Sequence, residues 1–287
     1  MFVEASWKDY EIIDCGDGMK YERWGDIFLL RPDPQVIWPF SKPVPLDKLH
    51  AKYSRSESGG GAWEYFKKMP SEWSISWRNL NFIVRPMGFK HTGLFPEQAT
   101  NWQWMTDKIT SANRPINVLN LFGYTGAATV ACASVGAAVC HVDAAKNMVA
   151  QGKENLAASQ LSDAPVRWIV DDCIKFVERE IRRGRKYDAI IMDPPSYGRG
   201  PGGEIWKLEN ELFPLVELCA QVLSEKPLFV LINSYTTGLQ PLVLRNILTK
   251  CIASRFGGTV CAEEVGLPVT EGGIILPCGA SGRWEDV

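Results

Sequence analysis

Hydrophobic and polar positions change their pattern once along the chain. Over residues 1–90 the apolar residues come in short alternating runs: YEIIDC, DIFLLRP, VIWP and LNFIVRP. Gly-Asp-Gly, Pro-Asp-Pro and Pro-x-Pro turns separate them. Period-two runs bounded by Gly and Pro predict half-buried β-strands. The piece SRSESGGGAW (54–63) lacks apolar periodicity, which predicts an exposed flexible loop. From about residue 115, continuous apolar runs alternate with helical periodicity. Strands are predicted at INVLNLF (116–122), AAVCHVD (137–143), VRWIV (166–170), YDAIIMD (187–193) and PLFVLIN (227–233). Helices are predicted over 126–135, 146–160, 173–183, 208–224 and 240–254. Apolar strands joined by helical crossovers predict an α/β fold, with a mostly parallel sheet covered on both faces. GTVCAEEV and GGIILPCG, with only LPVTE between them, predict an antiparallel hairpin at one sheet edge.

Composition narrows the class. At 46% hydrophobic and 22% charged over 287 residues, the chain buries a real core, which excludes disordered and fibrous proteins. No run of 18 apolar residues occurs, so no membrane span is expected. The start, MFVEASWKDYEIIDCGDG, has no basic segment followed by an apolar one, so no secretory signal is expected. Lys+Arg 31 against Asp+Glu 33 gives a net charge of −2, so any nucleic-acid contact requires a local patch. Eight cysteines form no C-x-x-C, and only His50, His91 and His141 stand beside them, so no metal site is expected. The cysteines read as small core residues of a reducing cytoplasm.

The candidate chemistry lies at the ends of successive strands. LNLFGYTGAAT (119–129) is a strand, a glycine turn and a helix start. Gly123 and Gly126 let the backbone approach a ligand beside a helix N-terminus, or simply make a tight turn. The loop matches neither the P-loop nor G-x-G-x-x-G. Asp143 ends the next strand, where a carboxylate accepts both hydroxyls of a ribose. The third strand ends in Val170-Asp171-Asp172-Cys173, where Asp172 either meets an adenine amine or caps the following helix. The fourth ends in Asp193-Pro194-Pro195-Ser196-Tyr197-Gly198. Prolines stop the strand there and leave carbonyls free for a substrate donor, and Tyr197 offers a face for a base.

In combination these residues resemble a class I S-adenosylmethionine-dependent methyltransferase. More narrowly, the chain is similar to the bacterial 23S ribosomal RNA methyltransferase-like group. Five segments carry the resemblance: FKHTGLFPEQATNW (89–102), NLFGYTGAATV, VDAAKNMVAQGKEN, DDCIKFVEREIRRGRKYDAIIMDPPSYGRG and LPCGASGRW. It spans about residues 85–287 and implies a Rossmann-like doubly wound seven-stranded sheet over 86–287, after a small β-rich domain over 1–85. Relatives with an N-terminal PUA domain place it before that β domain, and the 85 residues here leave room for the β domain and little more.

The resemblance implies S-adenosyl-L-methionine as cofactor and RNA, ribosomal above all, as substrate, acted on in the cytoplasm. It implies a cofactor site of Asn120, Phe122, Gly123, Tyr124, Thr125, Gly126, Asp143, Ala144, Asn155, Asp172, Cys173 and Asp193. Asp193, Pro194 and Tyr197 are the candidate catalytic residues, with a substrate nitrogen attacking the methyl in line. Lys90, Thr92, Gln98, Tyr197, Arg199 and Trp206 are candidates for substrate binding. Relatives that methylate cytosine C5 carry a cysteine after the fifth strand, where this chain has Ile232-Asn233-Ser234-Tyr235-Thr236, so a cysteine-dependent mechanism is not expected.

Other features stay open on the sequence. Lys175, Arg179, Arg182, Arg183, Arg185 and Lys186 form either an RNA patch or a solvated helix face. GRGPGGEIWK (198–207) reads as a mobile substrate loop. Trp7, Trp24, Trp38, Trp63, Trp73 and Trp77 are either core and interface or a base-stacking platform. The fold also suits an NAD-dependent oxidoreductase, a silent RNA-binding or assembly factor, or a methyltransferase of small molecules or proteins. The oligomeric state is not encoded in any of these patterns.

Overall fold

A computed structural model describes residues 1–56, 60–88, 90–199, 205–286, without the side chain of Arg199. Contacts divide the chain into two compact units. One is Met1–Thr100 with Val265–Cys278, and the other is Asn101–Glu264 with Gly279–Val287.

In the first unit the strands are β1 (Phe2–Val3), β2 (Tyr10–Gly16), β3 (Met19–Trp24), β4 (Ile27–Pro32), β5 (Ala51–Arg55), β6 (Gly61–Tyr65), β7 (Trp73–Trp77) and β8 (Leu80–Val84). β2 to β6 form one sheet in chain order, antiparallel except for the β4–β5 step. β7 and β8 form a separate hairpin. Two expectations need correction. VIWP is not a strand, because its carbonyls serve the β2–β3 turn: Asp17 N donates to Trp38 O (2.7 Å) and Gly18 N to Val36 O (2.9 Å). Nor is 54–63 a featureless loop. Both its ends belong to an antiparallel hairpin, with Ser54 opposite Ala62 and Tyr53 opposite Trp63, while residues 57–59 lie outside the described residues.

The tryptophans of this unit brace the fold. Trp24 and Trp77 are buried. Five donate their indole N–H at 2.8–3.0 Å: Trp7 to Pro96 O, Trp38 to Cys15 O, Trp63 to Met87 O, Trp73 to Trp24 O and Trp77 to Ser6 Oγ. Beneath them lies a buried ion pair. Glu22 accepts from Arg31 Nε (2.6 Å), Arg31 Nη2 (2.7 Å) and the Tyr10 hydroxyl (2.7 Å). Burial alone drives the Glu22 carboxyl upward, but Arg31 and Lys20 beside it hold it below its ordinary value.

The second unit contains α1 (Ala99–Ser111), β9 (Asn117–Leu121), α2 (Ala127–Ser134), β10 (Ala138–Asp143), α3 (Lys146–Ala158), β11 (Val166–Val170), α4 (Cys173–Arg182) and β12 (Ala189–Met192). They are followed by β13 (Tyr197–Arg199), β14 (Ile205–Lys207), α5 (Leu208–Ala220), β15 (Phe229–Ser234), α6 (Pro241–Leu248), α7 (Ser254–Phe256), β16 (Thr259–Pro268) and β17 (Ile275–Glu285). The main sheet runs β16-β17-β15-β12-β9-β10-β11, parallel from β15 to β11. β17 is antiparallel to β15. The doubly wound α/β reading therefore holds, and the edge hairpin closes with Val269 N bonded to Ile274 O (2.8 Å). β1, which the sequence reading lacks, pairs in parallel with Val265 and Gly266 of β16 as an eighth strand.

The sequence reading also missed α1. Its buried face is Trp102, Met105 and Ile109, a spacing of three and four that an amphipathic helix requires. Asn101, wholly buried on α1, ties the sheet together. Its amide donates to Asn233 Oδ1 (3.2 Å) and Ser281 Oγ (2.9 Å), and its carbonyl accepts from Arg283 Nε (2.9 Å) and Nη2 (2.6 Å). Among the described residues no helix is long and apolar enough to cross a membrane.

We expect Glu22→Ala to destabilise the first unit by about 3–5 kcal/mol, because it strands the Arg31 charge in a buried site. Urea unfolding followed by tryptophan fluorescence measures this, and a loss below about 1 kcal/mol would contradict it. Because the folded carboxyl is held low, its contribution is present above the unfolded value and is lost as pH falls through the folded one.

Candidate active site at the strand ends

Strand order reverses at β9, which has β10 on one side and β12 on the other. A crevice opens at the carboxyl ends of strands at such a switch point. Register brings the candidate residues there: Leu121 pairs with Val142 and with Met192, and Asp143 pairs with Val170. The glycine turn, Asp143, Asp171-Asp172 and Asp193 therefore follow paired positions on four adjacent strands.

The turn after β9 has an unusual backbone. Phe122 (φ 55°), Tyr124 (φ 50°) and Gly126 (φ 79°) are left-handed, two of them without glycine's freedom. At Gly123 the turn packs directly against a histidine ring. A Cβ there would lie 2.4 Å from His141 Cε1 and 2.5 Å from Nδ1. His141 is wholly buried under the turn, with Nδ1 2.9 Å from Thr129 Oγ1, which accepts from Asn120 Nδ2 (2.9 Å). Burial drives its pKa down to about 3, so the imidazole is neutral. Sequence reading treated His141 only as a potential metal ligand, and its burial in β10 was the missing signal.

The remaining predicted cofactor residues divide by the direction they face. Asp143 is half-buried: Oδ2 accepts Tyr124 N (2.8 Å) and Oδ1 accepts Ala145 N (2.8 Å). Burial raises its carboxyl pKa, and those two N–H groups oppose the shift. Ala144 beside it is exposed. Asp172 caps α4, its side chain accepting from Lys175 N (2.9 Å). Cys173 is buried behind the turn, its sulfur accepting from Phe122 N (3.3 Å), and burial raises its thiol pKa. Asn155, fully buried, donates to Thr125 O (2.8 Å) from α3. Asn120, Asn155 and Cys173 thus hold the loop from inside, whereas Asp143 is only half-buried and Ala144 and Val170 (49%) are exposed.

The Asp193-Pro194-Pro195 turn is fastened to the same corner. Trp206 donates its indole N–H to Pro195 O (2.6 Å), so that carbonyl is not free for a substrate as expected. The Trp206 ring also packs 5.4 Å from Phe122. Thr236, just after β15, donates to Ser196 Oγ (2.7 Å). Tyr197 is 51% exposed and pairs across a short antiparallel ladder with Lys207. The predicted mobile loop therefore has strands at both ends, β13 and β14, and residues 200–204 lie outside the described residues.

A family model described as S-adenosylmethionine-dependent methyltransferase matches residues 48–222. The chain belongs to this family. The match begins in the first unit, well ahead of the motifs recognised in the sequence. The methyltransferase is 34% identical to the crystal structure of a SAM-dependent methyltransferase from Agrobacterium tumefaciens, at a TM-score of 0.94 over 99% of this chain and 92% of that one. A methyltransferase from Streptococcus mutans (TM-score 0.74, 20% identity, 99% and 76% coverage) shares the fold. So does a methyltransferase solved with S-adenosylhomocysteine (TM-score 0.74, 21% identity, 98% and 76% coverage). Ribosomal RNA large subunit methyltransferase K/L of Shewanella frigidimarina is 27% identical over 66% of this chain and 25% of its own length. The methyltransferase therefore spans about a quarter of that curated relative.

S-adenosylmethionine is the cofactor of this family, and the residues present fit it. Each Asp143 oxygen takes one backbone N–H and keeps a further lone pair, the chemistry two ribose hydroxyls need. Val170, exposed at the end of β11, offers apolar surface two residues before the Asp172 carboxylate. Among the described residues, no group of three His, Cys, Asp or Glu is arranged to hold a metal. Lys90, Thr92 and Gln98 belong to the first unit. Lys90 Nζ donates to Pro32 O (3.2 Å), Thr92 is wholly buried with its hydroxyl unpartnered among the described residues, and Gln98 is buried in a single turn of 3-10 helix.

Because the Gly123 clash is with His141, the two positions are coupled. We expect Gly123→Ala to weaken S-adenosylhomocysteine binding by roughly tenfold or more, and by clearly less in a His141→Ala background. Calorimetric titration of all four proteins tests this, and an equal loss in both backgrounds would sink the coupling.

Proposed function

We propose that this methyltransferase modifies a nitrogen of an RNA base, in ribosomal RNA, in the cytoplasm. The observation that carries the reading is the Asp193-Pro194-Pro195 turn, held by Trp206 beside the glycine turn at the switch point. The ribosomal RNA substrate rests on similarity to the large-subunit methyltransferases.

When bound, S-adenosylmethionine supplies a methyl group on a positively charged sulfur that departs as a neutral thioether. The chain's own task is then to bind, orient and exclude water. Asp143 holds the ribose hydroxyls, with Ala144 alongside, and Asp172 takes the adenine amine with its second oxygen while capping α4. Phe122, Gly123, Tyr124, Thr125 and Gly126 shape the floor, kept in place by Asn120, Asn155 and Cys173. The Asp193 carboxylate and the Pro194 carbonyl accept hydrogen bonds from the target nitrogen and keep its lone pair aimed. Exposed Tyr197 stacks on the base. Lys90, Thr92, Gln98, Arg199 and Trp206 serve the substrate side, Trp206 by fixing the turn.

Cysteine chemistry is disfavoured on physical grounds. Attack on a pyrimidine ring needs an accessible thiolate. Burial raises Cys132 to about 12 and Cys140 to about 11, and it raises Cys173 and Cys219 as well. Exposed Cys261 lies on β16, several strands from the β9–β12 corner. Near the end of β15 the chain carries Asn233-Ser234 rather than a cysteine, and the Asn233 side-chain carbonyl accepts from Asn101 and Ser281.

Nucleoside mass spectrometry of ribosomal and transfer RNA, from cells with and without the gene, tests the reading. We expect one N-methylated nucleoside to vanish on deletion and to return on purified RNA with the protein and S-adenosylmethionine. A missing 5-methylcytosine would overturn the nitrogen assignment, and an unchanged RNA profile would overturn the substrate. In the reconstituted reaction we expect Asp193→Ala to lose at least about a hundredfold in rate while still binding S-adenosylhomocysteine. Full turnover would remove Asp193 from the catalytic group.

A further inference from the structure

The sheet of the first unit ends at β6, and that edge carries side chains the strand-end site does not use. Tyr65, the last residue of β6, is 57% exposed, and Phe66 after it is 47% exposed. Both sit on a fixed backbone. Phe66 N and Lys67 N donate to His50 O (2.9 and 3.3 Å). Trp63, on the same face as Tyr65, packs edge-on against Tyr53 at 5.4 Å. Two large aromatic residues left in water at an open edge carry an aggregation risk, and folding alone does not require them.

Cations lie along the same hairpin, Lys67 and Lys68 next to the aromatic pair and Arg55 four ladder positions from Tyr65. Arg55 closes β5, and Lys67 and Lys68 follow Phe66, all three exposed. Residues 48–68 hold five Lys or Arg against two Glu, in a chain of net charge −2. Burial and then Lys67 push the His50 pKa down. Burial lowers Lys90 to about 8, with Lys20, Arg31 and Arg55 adding to the shift against Asp33. Among the described residues, Glu64 faces Lys52 across the ladder, and Glu72 pairs with Arg85 (3.3 Å). Lysines alone guard a sheet edge, so the edge role leaves Tyr65 and Phe66 unexplained. Aromatic faces among uncompensated cations are what single-stranded nucleic acid binds, with bases on the rings and phosphates on the cations.

We propose that the β5–β6 hairpin is a contact surface for single-stranded RNA, with Tyr65 and Phe66 stacking on bases and Arg55, Lys67 and Lys68 meeting phosphates. The proposal rests on RNA being the substrate and deepens that reading by assigning a second surface to it.

The test uses the full chain and a fluorescein-labelled oligouridylate of about 15 nucleotides, near the upper end of a compact single-strand site. Anisotropy titrations compare the wild type with Y65A/F66A and K67Q/K68Q. We expect Y65A/F66A to weaken binding by about tenfold or more, since stacking contributes on that scale per base. K67Q/K68Q should lower the slope of log affinity against log salt by about 1.4, two phosphates' worth. Both variants should keep wild-type S-adenosylhomocysteine affinity and melting temperature, because the substituted side chains are exposed. Wild-type RNA affinity in both variants overturns the surface while leaving the substrate reading intact, provided the wild type methylates purified RNA. A wild type that neither binds the oligonucleotide nor methylates any RNA overturns both.

Discussion

The imidazole of His141 fills the space under the turn after β9, and the form of the crevice follows from that contact. With the ring wholly buried and anchored on Thr129, the chain passes over it only if position 123 has no side chain. The same passage puts Phe122 and Tyr124 into left-handed backbone, at a cost of about 1–3 kcal/mol each. The turn recovers that cost through its own N–H groups, Phe122 bonding the Cys173 sulfur and Tyr124 the Asp143 carboxylate. Loop conformation and carboxylate orientation are thereby one mechanical unit.

The second corner is attached to the first by similar means. Trp206 holds Pro195 by a hydrogen bond and Phe122 by ring packing, so the Asp193 turn and the glycine turn share a neighbour. A methyl transfer whose electrophile brings its own leaving group asks the protein mainly for orientation. Rigid joints between the cofactor side and the substrate side are what such a task needs, and position 206 provides one from a strand well outside the Asp-Pro-Pro motif.

Much of the fold was legible because its signals are local. The five parallel strands and their crossover helices were read to within a few residues, since continuous apolar runs and helical periods each lie within a single segment. Features that depend on distant partners were not. VIWP alternates like a strand, yet its carbonyls are claimed by the β2–β3 turn. SRSESGG reads as loop, yet β5 continues to Arg55 because β6 lies beside it. The helix at Ala99–Ser111 was hidden inside a segment read for its motif, although Trp102, Met105 and Ile109 carry the helical spacing. The need for glycine at 123 was visible in the sequence, but its cause, a histidine 18 positions later, was not.

The same distinction separates the two halves of the candidate site. Each parallel strand delivers its cofactor-side residue within one turn of its carboxyl end, so the residues arrive as short motifs at regular intervals. Substrate contacts have no such schedule. The proposed Tyr197 contact stands on a short ladder whose far strand carries Trp206. The β5–β6 edge carries exposed aromatics whose meaning depends on the cations around them rather than on any spacing. With a net charge of −2, the RNA recognition proposed for this chain requires positive charge gathered locally. Composition averages that charge away, whereas the exposed Arg55, Lys67 and Lys68 lie along the one β5–β6 hairpin in the fold.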